Sequence, residues 1–218
     1  MGLLVERFEL GPLATNCYLV YTGDRAIVVD PGWPSEVDAV YRRVRELGLR
    51  VEAIVATHGH FDHVLGVGRF RRLLGYEPPF MAHRSDVSMI MSAHLVAEQW
   101  LGVRVDPPPM PDDFLREGSI IMLDNVGLKV WETPGHSPGS ITLLAEDSAL
   151  VGDVLFRGSI GRVDLPGGSW KEMRRSLLRL AGLPGETRIY PGHGPPTTIE
   201  LELADNYFVR EALVGSET

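Results

Sequence analysis

Short apolar runs open the chain. Leu3 to Leu10, Cys17 to Tyr21 and Arg25-Ala26-Ile27-Val28-Val29-Asp30 read as strands, and Gly11-Pro12 and Thr22-Gly23-Asp24 as the turns between them. The apolar period then lengthens: Val37, Val40, Tyr41, Val44 and Leu47 share one face of a helix that Ser35 would cap. Val51 to Thr57 returns to a strand, Val64 to Leu74 to a helix, and His83 to Leu101 to a longer helix. The breaker-rich Asp106-Pro107-Pro108-Pro109-Met110-Pro111 is expected to be a loop over the surface. Strands resume at Ser119 to Leu123, Leu128 to Glu132, Ser140 to Ala145 and Ala149 to Asp153. A helix at Trp170 to Leu180, a strand at Thr187 to Tyr190 and a helix from Thr198 onward complete the pattern. Two β-rich stretches, each followed by helix, predict an α/β protein with two sheets face to face and helices outside. Composition does not change across the prolines, so residues 1–218 read as a single domain.

The composition fits a soluble protein able to bury a core: 218 residues, 44% hydrophobic and 23% charged. A net charge of −8 repels phosphate backbones, so no nucleic-acid partner is expected. The clusters Arg42, Arg43, Arg45 and Arg69, Arg71, Arg72 read as solvated helix faces. A single cysteine, Cys17, rules out an intrachain disulfide and a cysteine zinc cage, and its strand-like setting predicts a buried, inert thiol. No apolar run reaches bilayer-spanning length and the N-terminus lacks signal-peptide order. Glu6 stands where myristoylation of Gly2 would need Ser or Thr. No membrane partner and a cytoplasmic location are therefore expected.

One segment changes this ordinary picture. Thr57-His58-Gly59-His60-Phe61-Asp62-His63 gathers three imidazoles and a carboxylate directly after an apolar strand. Neutral imidazole and carboxylate are the usual ligands of catalytic zinc, iron and manganese. His58 and His60 would point to opposite sides of a helix and converge only if the strand ends in a turn, which Gly59 permits. Four other segments share this grammar of strand, tight turn and ligand-type residue: Asp30 before Pro31-Gly32, His136 after Pro134-Gly135, Asp153 after Gly152, and His193 after Pro191-Gly192. Taken singly, each is more often a turn or a solvated cap. Together they are not: five of the seven histidines, His58, His60, His63, His136 and His193, lie in such turns. His83 and His94 do not, and read as structural, His83 as a helix N-terminal cap partner.

Thr-His-Gly-His-x-Asp-His, a distant Pro-Gly-His, Gly-Asp and a late Pro-Gly-His-Gly resemble, in order and spacing, the metallo-β-lactamase superfamily. The stretches Gly152 to Arg162 and Pro191 to Glu200 are similar to the short, single-domain glyoxalase II (hydroxyacylglutathione hydrolase) group. The resemblance implies a four-layer αβ/βα sandwich and two divalent metal ions, zinc first, with iron or manganese as alternatives. It implies that His58, His60 and His136 bind one ion, that Asp62, His63 and His193 bind the other, and that Asp153 bridges them. Asp30 would accept a hydrogen bond from a ligand imidazole and fix its tautomer. Two departures matter. One major class of zinc lactamases has cysteine where this chain has Asp153, which disfavours antibiotic hydrolysis. Full-length glyoxalase II enzymes carry a further helical domain that contacts glutathione, whereas this sequence ends 25 residues after His193.

Two metals about 3.5 Å apart would share a hydroxide that attacks an acyl carbonyl. A thiol with a pKa of roughly 8.5 leaves as thiolate without a strong acid, which suits a site whose catalytic carboxylates, Asp62 and Asp153, are tied to metal. The expected substrate is thus a small-molecule thioester, with Arg157 and Arg162 as weaker candidates for binding its carboxylate; their alternative is an ion pair bracing the loop. A persulfide dioxygenase is the nearest rival, since it would use iron on His58, His136 and Asp153 alone. A metal-stabilised binding module without turnover is the rival from another class. Within Arg84 to Met110, Met89 and Met91 are expected either in the core or over the metal pocket.

Overall fold

In the computed structural model, which describes residues 2–214, the chain forms two six-stranded mixed sheets, each drawn from a contiguous stretch of sequence. The first comprises β1 (Leu4–Leu10), β2 (Thr15–Thr22), β3 (Arg25–Val29), β4 (Arg50–Val55), β5 (Phe80–His83) and β6 (Asp113–Leu115), in that spatial order. Helices α1 (Val37–Glu46), α2 (Phe61–Val64), α3 (Val67–Leu74) and α4 (Val87–Leu101) are interleaved with them. The second contains β7 (Ile120–Leu123), β8 (Val126–Glu132), β9 (Ile141–Ala145) and β10 (Ser148–Gly152). After a small hairpin, β11 (Leu155–Phe156) and β12 (Ser159–Ile160), and helix α5 (Trp170–Ala181), it is completed by β13 (Arg188–Pro191) and β14 (Thr197–Thr198). Helices α6 (Ile199–Asp205) and α7 (Tyr207–Val214) follow.

Alternation along the strands explains the layering. In β2 and β3, Cys17, Leu19, Ala26 and Val28 face α1, α3 and α4, while Tyr18, Val20, Ile27 and Val29 face the second sheet. In β10, Leu150 joins the core between the sheets, whereas Ala149 and Val151 pack with Met173, Leu177 and Leu180 of α5. The result is helix, sheet, sheet, helix, the four-layer α/β sandwich expected. The register of β4 on β3 shifts so that Ala26 faces Val51 but Ile27 faces Ala53. Glu52 is the extra residue of this bulge, which keeps Val51 and Ile54 on the helix side despite their odd spacing.

Several local expectations are corrected. The helix expected from His83 begins only at Val87, because Phe80–His83 pairs in parallel with β4 and β6 and a 3-10 turn, Arg84–Asp86, follows. Ser35 lies in a turn; Glu36 precedes α1 and gives no side-chain cap. Asn206 splits the last helix, its side-chain Oδ1 accepting from the Phe208 amide at 3.0 Å. Arg71 is not a solvated face residue: it is buried, donates to the Pro78 carbonyl at 2.7 Å and pairs with Asp112. Cys17 is fully buried, and burial pushes its thiol pKa up. Among the described residues no helix is long and apolar enough to cross a membrane.

Candidate metal centre

Each ligand-type residue follows the end of a strand. β3 ends at Val29 and delivers Asp30. β4 ends at Val55, and the loop carrying His58 and His60 leads into α2, which holds Asp62 and His63. In the second sheet, β8 leads to His136, β10 to Asp153 and β13 to His193. β3 runs parallel to β4 and β10 to β13, while β8 and β10 both run antiparallel to β9, so the ends within each sheet lie on one edge. The two edges meet at a single cluster.

Donor atoms converge in three overlapping groups: His58, His60 and His136; His58, His63 and Asp153; and Asp62, His63 and His193, each with its atoms within 4.8 Å. Asp153 sits between them, with Oδ2 3.4 Å from His136 Nε2 and 3.5 Å from His193 Nε2, and Oδ1 3.5 Å from His63 Nε2. Asp62 Oδ2 lies 3.2 Å from His193 Nε2.

The outward nitrogens explain the inward ones. His136 Nδ1 meets the Arg162 carbonyl at 2.7 Å, His193 Nδ1 the Leu13 carbonyl at 3.0 Å, and His63 Nδ1 the Asp30 carboxylate at 3.0 Å. Carbonyl and carboxylate oxygens only accept, so each of these Nδ1 atoms carries a proton and each Nε2, once deprotonated, presents a lone pair to the centre. The Thr57 hydroxyl donates to Asp30 at 2.7 Å and stands 3.1 Å from His58 Nδ1, which assigns His58 the same tautomer. His60 presents Nδ1 instead, 2.8 Å from His136 Nε2. Among the described residues, buried His58 Nε2, His63 Nε2 and Asp153 Oδ1 have no hydrogen-bond partner. Buried polar atoms are seldom left in this state. Inward lone pairs on oriented imidazoles, with carboxylates between them, are what divalent ions require.

Electrostatics agree with that donor set. Burial pushes the His58 pKa well below the usual histidine range and holds His60 at about 4, so both rings are neutral and ligand-competent near pH 7. Burial would lower His63 too, but the carboxylates of Asp62, Asp153 and Asp30 outweigh it and hold this ring up at about 10. Burial opposes ionisation of Asp62; the charge on His63 and hydrogen bonds from His193 and Thr15 overcome it and keep this carboxyl well below the usual range. A field that favours a protonated ring at this spot favours a bound cation there as well.

Three supporting residues carry no motif in the sequence. Thr15 donates its hydroxyl to Asp62 Oδ2 at 2.7 Å. The Asn16 side-chain amide donates to the carbonyls of Pro191 and Gly194, both at 2.8 Å, and so clamps the turn that holds His193. Asp86 is buried and accepts from Gly59 N at 2.8 Å, Gly139 N at 2.7 Å and Ser137 Oγ at 2.6 Å. One carboxylate thus ties the His58–His60 turn to the turn after His136. Glycine is needed at both contacts: a Cβ on Gly59 would lie 3.0 Å from Asp86 Cβ, and one on Gly139 2.6 Å from Asp86 Cγ.

A cleft of about 850 Å³ opens over His60, Asp62, His136, Asp153 and His193. Met89 lines it from α4, whereas Met91 points elsewhere and is exposed. Arg157 is exposed on the β11–β12 turn and is not among the cleft-lining residues. Arg162 does line the cleft, but its guanidinium is bound to Asp164 at 2.9 and 2.8 Å, the loop-bracing ion pair weighed as its alternative. His83 lies outside the cleft lining, accepting from the Ser85 amide as a cap and meeting Glu132 at 3.2 Å. His94 is half-buried on α4, also outside it.

Comparison with known proteins gives this arrangement a family. A family model for the metallo-beta-lactamase superfamily matches residues 10–193. A Haemophilus influenzae protein named hydroxyacylglutathione hydrolase GloC is 33% identical over 94% of this chain and 97% of its own length. The solved structure of TTHA1623 in a di-iron-bound form is 41% identical, with a TM-score of 0.83 over 94% of this chain and 100% of that one. The BLEG-1 B3 metallo-beta-lactamase is 31% identical, with a TM-score of 0.86 over 94% and 99%. The match extends over most of the sequence and includes every strand end that feeds the cluster: the chain belongs to the metallo-beta-lactamase superfamily.

Proposed function

We propose that this protein is a metal-dependent hydrolase of acyl thioesters that holds two divalent ions. His58, His60 and His136 would hold one, Asp62, His63 and His193 the other, and Asp153 both. The observation that carries this reading is the position of Asp153, within 3.5 Å of imidazole nitrogens from both sets. A mononuclear iron centre on His58, His136 and Asp153 would leave the convergence of Asp62, His63 and His193 without a use. Zinc, iron and manganese all suit such donors, and the di-iron-bound form of TTHA1623 supports iron.

Bound ions of this kind supply an activated water and polarise a carbonyl oxygen. The chain's own residues do the rest. Asp30, Thr57 and the carbonyls of Leu13 and Arg162 hold the rings in one tautomer. Thr15 fixes the Asp62 carboxylate, which stays ionised and so offers no proton to a leaving group. A leaving group that needs no proton fits this site, and a thiolate is one, its conjugate acid having a pKa of roughly 8.5. An amine leaving group does need one. The name of the GloC relative supports thioesters as substrates, and that of BLEG-1 raises β-lactams as the second reading.

The test pairs metal analysis of the untreated protein with hydrolysis of an acyl-thioester panel, a β-lactam, and oxygen uptake on a persulfide. Two equivalents of metal with thioester turnover are expected. One iron with oxygen uptake, or turnover of the β-lactam alone, would replace the proposal.

A further inference from the structure

We propose that the α4 side of the cleft is a subsite for an uncharged, apolar flank of the substrate, one that accepts alkyl-bearing thioesters and discriminates against glutathione conjugates. The chemistry rests on the thioester reading above; the subsite rests on the wall itself.

Helix α4 is apolar on more than one side. Ile90, Ala93 and Ala97 are buried against the first sheet, and Met91 and Leu95 are exposed on the outside. A third stripe, Met89, Val96 and Trp100, lines the cleft at helical spacing. Ser85, Ser88, Ser92 and Gln99 line the same side but carry no charge, and Ser92 spends its hydroxyl proton on the helix, donating to the Ser88 carbonyl at 2.9 Å and the Met89 carbonyl at 3.2 Å. Trp100 remains 54% exposed although its ring meets Phe61 edge-on, with centroids 6.1 Å apart. Phe61 stands between His60 and Asp62 in the chain, so this aromatic pair joins the wall directly to the metal centre. Ile160 and Leu165 face it from the second half of the protein.

Charge is the second observation. Among the described residues lining the cleft, Arg162 is the single lysine or arginine, and Asp164 already holds its guanidinium. A glutathione conjugate brings two carboxylates that need such partners. An alkyl chain needs only the wall, which from Met89 to Trp100 extends about 16 Å at the rise of an α-helix.

The experiment uses metal-loaded full-length protein and N-acetylcysteamine thioesters from acetyl to decanoyl, with lactoylglutathione alongside. kcat/KM is expected to rise about two- to four-fold per added CH2 before levelling off. Trp100→Ala, at an exposed position, should flatten that slope, and Val96→Asp should reverse it. Calorimetry of unreactive S-methyl- and S-hexyl-N-acetylcysteamine and of S-hexylglutathione tests binding without turnover. A flat profile with hydrolysis intact would overturn the subsite and leave the thioester reading standing. Alkyl-dependent binding with no thioester hydrolysed would sink that reading and keep the subsite. Tighter binding of S-hexylglutathione than of S-hexyl-N-acetylcysteamine would overturn the proposal outright.

Discussion

Asp86→Asn is the most informative single perturbation outside the ligand set. The Asp86 Oδ2 atom accepts from Gly59 N and Ser137 Oγ, and Oδ1 from Gly139 N. An amide has one oxygen, so in either orientation at least one buried backbone N–H would face an NH2 group. An unsatisfied buried donor costs about 1–3 kcal/mol, and the bonds that survive lose the charge that made them stronger, about 1 kcal/mol more. The expected loss is therefore about 2–4 kcal/mol. For a chain of this length that lowers Tm by roughly 5–15 °C. Because the lost bonds brace the turns of His58, His60 and His136, metal affinity should also fall, by about 10- to 100-fold as for other residues that orient ligands. Urea unfolding of the chelator-treated protein gives the first quantity, and competition with a chromophoric chelator the second. Gly139→Ala should act in the same direction, whereas Asp164→Asn, at an exposed pair, should change neither. A loss under about 1 kcal/mol with metal affinity unchanged would refute the brace.

Asp153→Asn should abolish thioester hydrolysis and lower metal stoichiometry while unfolding stays cooperative; turnover at the wild-type level with matched metal would remove Asp153 from the centre. Stripping both ions should lower stability by about 4 kcal/mol per ion, about 8 in all, when measured against protein held at a thousand times the metal Kd, read as a Tm difference of roughly 15–30 °C; an unchanged Tm would mean that the cluster holds no ion in the folded state. The Arg179 guanidinium, donating to Glu117 at 2.6 and 2.8 Å, holds that carboxyl below the usual value despite partial burial. Its stabilisation is present above about pH 4.5 and is lost as pH falls through the lowered folded-state value, so Glu117→Gln should cost at most about 1 kcal/mol at pH 7 and nothing in stronger acid. An equal cost at pH 7 and pH 3 would show the contribution to be packing.

Much of the fold follows from apolar periodicity because most elements are long enough to show it. Val37, Val40 and Val44 mark α1, and the buried run of β2 marks a central strand. Elements of two to four residues, β5, β6 and the β11–β12 hairpin, are too short to display a period. The pattern gives Phe80 to Ala82 no element and assigns His83 to the helix that follows, because β4 and β6, the pairing partners of β5, are invisible locally. The candidate ligand residues stood out because three imidazoles and a carboxylate crowd into Thr57 to His63, and His136, Asp153 and His193 each follow a strand and a Gly or Pro turn. Asp86 did not: its partners are two backbone amides and a serine, remote in sequence and bearing no recognisable spacing. Arg162 shows the converse limit, since a basic residue in the right stretch was already claimed by Asp164 two positions away.

Every strand of the first sheet precedes every strand of the second, yet the donor cluster takes His58, His60, Asp62 and His63 from one and His136, Asp153 and His193 from the other. On the ribosome, the first half could complete its sheet long before residue 193 is added, but it would carry only part of a coordination sphere. If the cluster holds its ions as proposed, metal capture at full affinity is a late event in the life of each molecule. A nascent chain halted before β13 should pass through a metal-poor cell without acquiring its ions, and the finished cluster marks a chain that has been read through to its last strands.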